Sequence, residues 1–357
     1  MKIAPALLAF FAIIFFNTDI APYGIYGVLA SPFMDPFREG KTAIFILSGL
    51  LIASSWIGKR FDTFLGLAFA MISANWVLVQ HLSSMGTVPV IGSMALLYIG
   101  SNAATYKFSL TAVRIVVHIQ IAIGFLQIFG FNILGSIASV PWFGPGLPFG
   151  TLGSPAVLGA LMAMVLPISV YKWSKAESVL IIAMVFLTRS TMPVFSVIGV
   201  IAVYVYKKYG IGYTAPILML CLLSIGGTIL FPESEIFSFS GRLLVWSKAW
   251  HKIQYNWYGY GAGAWFGYYP QWKIDYKGIW DFVHNDWLQL LFEVGIVPFS
   301  LITISAIRII NRVPMWAACS MGAMMTNAIG FFPFHLSALA FLFCLVLSLG
   351  LNPCKNS

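Results

Sequence analysis

Arg189, Arg242, His284 and His335 are the residues of this sequence best suited to hold a charged group or move a proton, with Glu293 nine positions beyond His284. A guanidinium grips two oxygens of a phosphate through parallel N–H bonds, and an imidazole takes or gives a proton near neutrality. Arginine and histidine together suit the binding of an anionic group with proton transfer beside it. Glu293 is expected to pair with a buried neighbour or to contact a second ligand, because a lone carboxylate inside a membrane bundle is expensive. His335 has the same two roles open to it.

Three of these residues lie in or beside the one long polar interval of the chain, Ser240 to Gly295. Leu243 to Trp250 is amphipathic at helical spacing and suits an interfacial helix, with Arg242 at its N-terminal end. Gly259-Tyr260-Gly261-Ala262-Gly263 resembles a dinucleotide fingerprint only superficially, since it follows no predicted strand. Close backbone packing or a tight turn accounts for it better. Asp286, followed by Gln289 and an apolar run, is close to a capping box, so a helix is expected to start there. His284 then precedes the positive end of that helix, which favours a nearby anion and lowers the pKa of the ring.

The elements that position these residues are set by composition. Of 357 residues, 60% are hydrophobic and 9% charged, against roughly 25% charged in a soluble domain. Mean hydropathy is +0.89. An all-α polytopic membrane protein follows, in which Ile3 to Phe16 is read as a first span rather than a cleaved signal peptide, because apolar runs recur to the end. The net charge of +9 is spread one or two residues per loop, which excludes a nucleic-acid surface and matches membrane topology signals. Cys221, Cys319, Cys344 and Cys354 fall within or at the ends of apolar runs, so neither a disulfide framework nor a metal cluster is expected.

About twelve spans are expected, centred on Ala6 to Phe16, Ala43 to Ile57, Thr63 to Val79, Val88 to Ile99, Leu110 to Phe129, Ala156 to Tyr171, Ser178 to Leu187, Val194 to Tyr206, Pro216 to Phe231, Trp287 to Ile307, Met315 to Phe331 and Ser337 to Leu351. Residues 1–231 form a scaffold of about nine helices, 232–286 a large outer loop with the polar motif, and 287–357 the C-terminal helices. With the N-terminus in the cytoplasm, every cytoplasmic turn carries a basic residue: Lys59 and Arg60, Lys107, Lys172 and Lys175, Lys207 and Lys208, Arg308 and Arg312, Lys355. Arg189, Arg242, His284 and His335 then face outward. Basic residues held outside, close to the membrane, are explained most simply by an anionic ligand at its surface. Lys248, Lys252, Lys273 and Lys277 are read as ordinary solvated charges of the loop. Arg114 and His118, one turn apart in the fifth span, are read as a snorkelling arginine and an interhelical hydrogen bond, with Gln120 and Gln127 further along.

The order Arg242-x-x-x-Trp246, Gly259-Tyr260-Gly261, then His284-Asn285-x-x-Leu288-Gln289-x-x-x-Glu293-x-Gly295 resembles the signature of the O-antigen ligase and polymerase superfamily. Phe149-Gly150-Thr151-Leu152-Gly153-Ser154-Pro155 resembles its Gly-x-x-x-Asn-Pro approach to a span, with Ser154 in place of the Asn. Leu187-Thr188-Arg189-Ser190 resembles its short outer turn, with the Ser-Arg order reversed. The resemblance covers roughly the second two-thirds of the chain. It implies a GT-C-like fold in a bacterial inner membrane and transfer of a glycan from undecaprenyl diphosphate, on the periplasmic face, to an acceptor hydroxyl. Inversion at the anomeric carbon is implied too. The acceptor would be lipid A-core for a ligase, which the motif order favours, or a second lipid-linked glycan for a Wzy-type polymerase.

Such chemistry needs cations against charge growing on the diphosphate and a group to take the acceptor's proton. Arg189 and Arg242 suit the first role; His284 suits either. Neither metal nor cofactor is implied. The nearest acidic pair, Glu233-x-Glu235, is read as a solvated end of the loop. Outside this class a transporter is the alternative, although the halves lack matching interrupted helices. A peptidoglycan polymerase would want an outer catalytic Asp, with Asp275 or Asp281 as its test.

Overall fold

The computed structural model describes residues 106–131, 146–212, 240–261, 264–265 and 283–351. The expected spans before Leu110, and Pro216 to Phe231, lie outside the described residues, as do Asp275 and Asp281. Among the described residues every regular element is helical: α1 Tyr106–Ile128, α2 Pro155–Lys172, α3 Lys175–Leu187, α4 Thr191–Tyr209, α5 Ser240–Tyr255, α6 Asp286–Val294, α7 Ile296–Arg312, α8 Met315–Asn327, a 3₁₀ turn Pro333–His335, and α9 Ser337–Leu351. α1, α2 and α4 are each long and apolar enough to cross a membrane.

α2 is the centre of the bundle. Its residues from Val157 through Ser169 are all buried, and it packs on α3, α4, α8 and α9. Small residues set how close these helices come. A Cβ at Gly159 would lie 2.6 Å from Pro193 Cγ and 2.9 Å from Thr188 Oγ1, so the α3–α4 turn rests directly on α2. A Cβ at Gly322 would meet Val203 Cγ2 at 2.5 Å, and one at Gly199 would meet Thr326, which draws α4 against α8. Close approach through glycine is how membrane helices gain packing when lipid tails are as apolar as leucine.

Two sequence expectations need correction. Trp287 to Ile307 is not one helix: Gly295, at φ 80°, ends α6 and begins α7. Arg114 does more than snorkel. Its Nε and Nη2 donate to Glu177 Oε1 and Oε2 at 2.6 and 2.9 Å, and His118 Nε2 lies 2.8 Å from Oε1. Glu177 also completes the capping box of α3 with Ser174.

Candidate active site

Arg189 occupies the turn between α3 and α4. Its N–H donates to Phe186 O, and its backbone has φ 50°. His284, just before α6, has φ 55°, and these are the two non-glycine residues with positive φ among the described residues. An L-residue pays about 1–2 kcal/mol to sit in this region, so the surrounding packing must impose it.

For Arg189 the constraint is Gly159, which lets the turn descend onto α2. For His284 it comes from both sides. On one side Trp246 Nε1 donates to Val283 O at 2.9 Å and Gln289 Oε1 accepts from Val283 N at 3.1 Å. On the other, Asn285 is the N-cap of α6, its Oδ1 accepting from Leu288 N at 3.0 Å. Asn285, rather than Asp286, is therefore the capping residue. Asp286 is buried and accepts from Phe334 N through Oδ2 at 2.7 Å, while its own N–H donates to Ala328 O at 2.9 Å. The segment 328–335 is thereby fastened to the start of α6, and His335 is the last residue of its 3₁₀ turn.

That segment meets Arg242. Nη1 of Arg242 donates to Gly330 O at 2.9 Å, and the His284 ring packs edge-on to Phe332 with centroids 4.8 Å apart. Arg242 and Arg189 line one cavity of about 200 Å³ together with Ala156, Ser190, Thr191, Met192 and Phe331. The N-terminal turns of α2 and α4 border it, and the side chains of their N-caps, Ser154 and Ser190, make no capping hydrogen bond. Helix N-termini carry partial positive charge, so two of them beside two guanidiniums make a strongly anion-attracting space. Burial lowers the pKa of Arg242. His284 is pushed down to about 3, first by burial and then by the Arg242 charge, so its ring is neutral at physiological pH. The direction agrees with the sequence; the cause is burial and a neighbouring cation rather than the α6 dipole.

Glu293 stands apart from the cavity. It is buried at the C-terminal end of α6, where Oε1 accepts from Gln289 Nε2 at 3.0 Å. Its carbonyl accepts from Gly261 N at 2.9 Å, and Tyr260 N donates to Phe292 O at 3.0 Å. The two halves of the motif interlock here. A Cβ at Gly259 would lie 2.6 Å from Glu293 O, and one at Gly295 would strike the Tyr258 carbonyl. Tyr260 stacks on Phe292 at 4.6 Å, and Trp265 meets Phe292 edge-on.

Sequence reasoning missed Gly330, Phe332 and the side-chain role of Asp286. No residue-type signal marks a carbonyl or a packing ring. Gln120 and Gln127 hold the loop before α2: Gln127 Oε1 accepts from Phe149 N and Gly150 N, and Gln120 Oε1 accepts from Thr151 N, all at 2.8 Å. Gly150 is needed because a Cβ there would strike Gln120.

Helices able to cross a membrane, and a cavity with two arginines at one end of them, define a membrane protein with a site suited to an anionic group. Residues 156–303 match the O-antigen ligase family, which supports the O-antigen ligase and polymerase superfamily for this chain. The match runs from the first turn of α2 into α7, and so contains Arg189, Arg242, His284 and Glu293 but not the 328–335 segment. No match to a curated protein is found. The matched family suggests a glycan-transferring enzyme of a bacterial membrane.

Proposed function

We propose that the protein is an inverting glycosyltransferase that moves a glycan from undecaprenyl diphosphate to a hydroxyl of lipid A-core on the periplasmic face of the inner membrane. The observation that carries this is the cavity shared by Arg189 and Arg242 between two helix N-termini. A diphosphate seated there meets two guanidiniums, and its leaving charge is stabilised as the glycosidic bond breaks.

In the reaction the acceptor oxygen attacks the anomeric carbon as the bond from that carbon to the diphosphate oxygen breaks. The electron pair leaves with the lipid diphosphate, and the acceptor proton passes to His284. A neutral imidazole can receive it. Burial is the main cause of the lowered pKa of the ring, and a diphosphate that offsets the Arg242 charge removes the smaller one, raising the pKa from about 3.

Placement on the outer side is supported by where the other charges gather. Lys172, Lys175, Lys207, Lys208 and Arg312 lie at the opposite helix ends from Arg189, and Lys207 Nζ donates to Ile310 O at 3.1 Å, joining the C-terminal ends of α4 and α7. By the positive-inside bias that end is cytoplasmic. Residues 232–286 then form the periplasmic segment between a scaffold of about nine helices and the C-terminal spans.

The test is transfer by purified protein from an undecaprenyl diphosphate-linked glycan to lipid A-core in the presence of EDTA. Glycan on lipid A-core, lost roughly 10²–10³-fold in Arg242→Ala and strongly in His284→Ala, supports ligation without a divalent ion. Growth of the lipid-linked glycan instead would make the protein a polymerase with the same donor site. Loss of transfer on chelation would overturn the metal-independent mechanism.

A further inference from the structure

α5 differs from the helices that could cross a membrane, because it is 16 residues long and carries Arg242, Lys248, His251 and Lys252. Its first turn places Arg242 in the cavity bordered by the N-terminal turns of α2 and α4. Since α2 and α4 have the length and composition of spans, their ends lie at the bilayer surface, and α5 starts at that depth. One face of α5 is closed: Val245, Ala249 and Ile253 pack with Trp265, Val283 and Phe292.

The remaining surface is unlike that of a water-facing helix. Trp250 is 51% exposed and Tyr255 74%, and the turn that follows adds Trp257 at 60% and Tyr258 at 65%. Among them Ser247, Lys248, His251 and Lys252 line a hollow of about 430 Å³. Exposed tryptophan and tyrosine beside lysines on a helix of this length and charge is the composition of an element lying in the headgroup layer, rings at the acyl boundary and ammonium groups at the phosphates.

We propose that the outer face of α5 and the turn after it seats on anionic phospholipid headgroups. The contact fixes α5, and with it Arg242, at the depth of a membrane-borne substrate. Lys248 and Lys252 supply the charge selectivity, and Trp250, Tyr255, Trp257 and Tyr258 supply lipid-independent anchoring. This depends on the membrane placement of α2 and α4 and not on glycan transfer, so its test does not read activity.

The experiment is amide hydrogen exchange across residues 245–258 with the full chain in nanodiscs of phosphatidylcholine, with and without phosphatidylglycerol. Anionic lipid is expected to slow exchange there roughly fivefold or more, the factor that one lysine gains near an anionic surface. The slowing should vanish in the Lys248→Glu/Lys252→Glu double variant while α2 and α4 exchange as in the parent. Should that variant unfold, raised salt applied to the parent must remove the same protection. Exchange indifferent to phosphatidylglycerol overturns the proposal. Protection by a soluble acidic oligosaccharide in phosphatidylcholine discs, with no response to anionic lipid, also overturns it and makes the face a glycan subsite.

Discussion

At Arg189 and His284 the backbone holds an unfavourable conformation while the side chain carries the charge or the proton site. Strain of this kind persists only where the surroundings over-determine it, and it clusters at functional positions. Arg189→Gly separates the two effects. Glycine tolerates φ 50°, so thermal unfolding should occur at the parent temperature or slightly above, while transfer falls roughly 10²-fold for want of the guanidinium. A fall in both would mean that the residue is structural.

The His284 ring gives a second prediction. Its folded pKa is about 3 against an ordinary value near 6.5, so between these values the unfolded chain binds the extra proton. Stability contributed by the neutral ring is present above about pH 6.5 and declines as the pH falls towards 3. Histidine ¹⁵N resonances should show this ring uncharged at pH 5, and unfolding temperatures of His284→Gln should fall less on acidification than those of the parent. A charged ring at pH 5 would contradict the burial described. Arg242 and His284 could be singled out as candidates because few other residue types hold phosphate or move protons. The positive φ of His284, and the division of labour between Asn285 and Asp286, were not legible. Both follow from tertiary contacts with Val283 and with the 328–335 segment.

The elements were legible where a run of apolar residues had both an end signal and a length. Ala156 to Tyr171 corresponds to α2 and Val194 to Tyr206 to α4. The break at Gly295 was not, because Val294, Ile296 and Val297 continue the apolar run without a polar interruption. The signal present was a glycine with Pro298 three residues on, the usual grammar of one helix ending and another beginning. This junction joins the two halves of the motif through Gly259 and Gly295. Gly295→Ala places a Cβ against the Tyr258 carbonyl in a residue at φ 80°, and should cost on the order of 2–3 kcal/mol. Thermal unfolding of the purified protein measures it. An unchanged midpoint would mean that the close approach of the two segments is dispensable.

Among the described residues, the helix ends sort by charge. The C-terminal end of α3, the N-terminal ends of α2 and α4, and the 328–335 segment gather around Arg242, whereas Lys172, Lys175, Lys207 and Arg312 lie at the other end. The alternation of basic loops put Arg189 and Arg242, 53 positions apart, on one side, and the structure lines one cavity with both. Gln254→Cys should react with an impermeant thiol reagent in spheroplasts, and Lys175→Cys only after permeabilisation. Reversed labelling would turn the site to the cytoplasm.

The most direct measurement is the affinity of the detergent-purified protein for undecaprenyl diphosphate, comparing the parent with Arg189→Ala, Arg242→Ala and His284→Ala. The two arginine variants should each bind at least about tenfold more weakly, the loss of a charge-assisted phosphate contact. His284→Ala should retain donor binding while losing transfer. Arginine variants that bind as tightly as the parent would contradict the assignment of this cavity to the diphosphate.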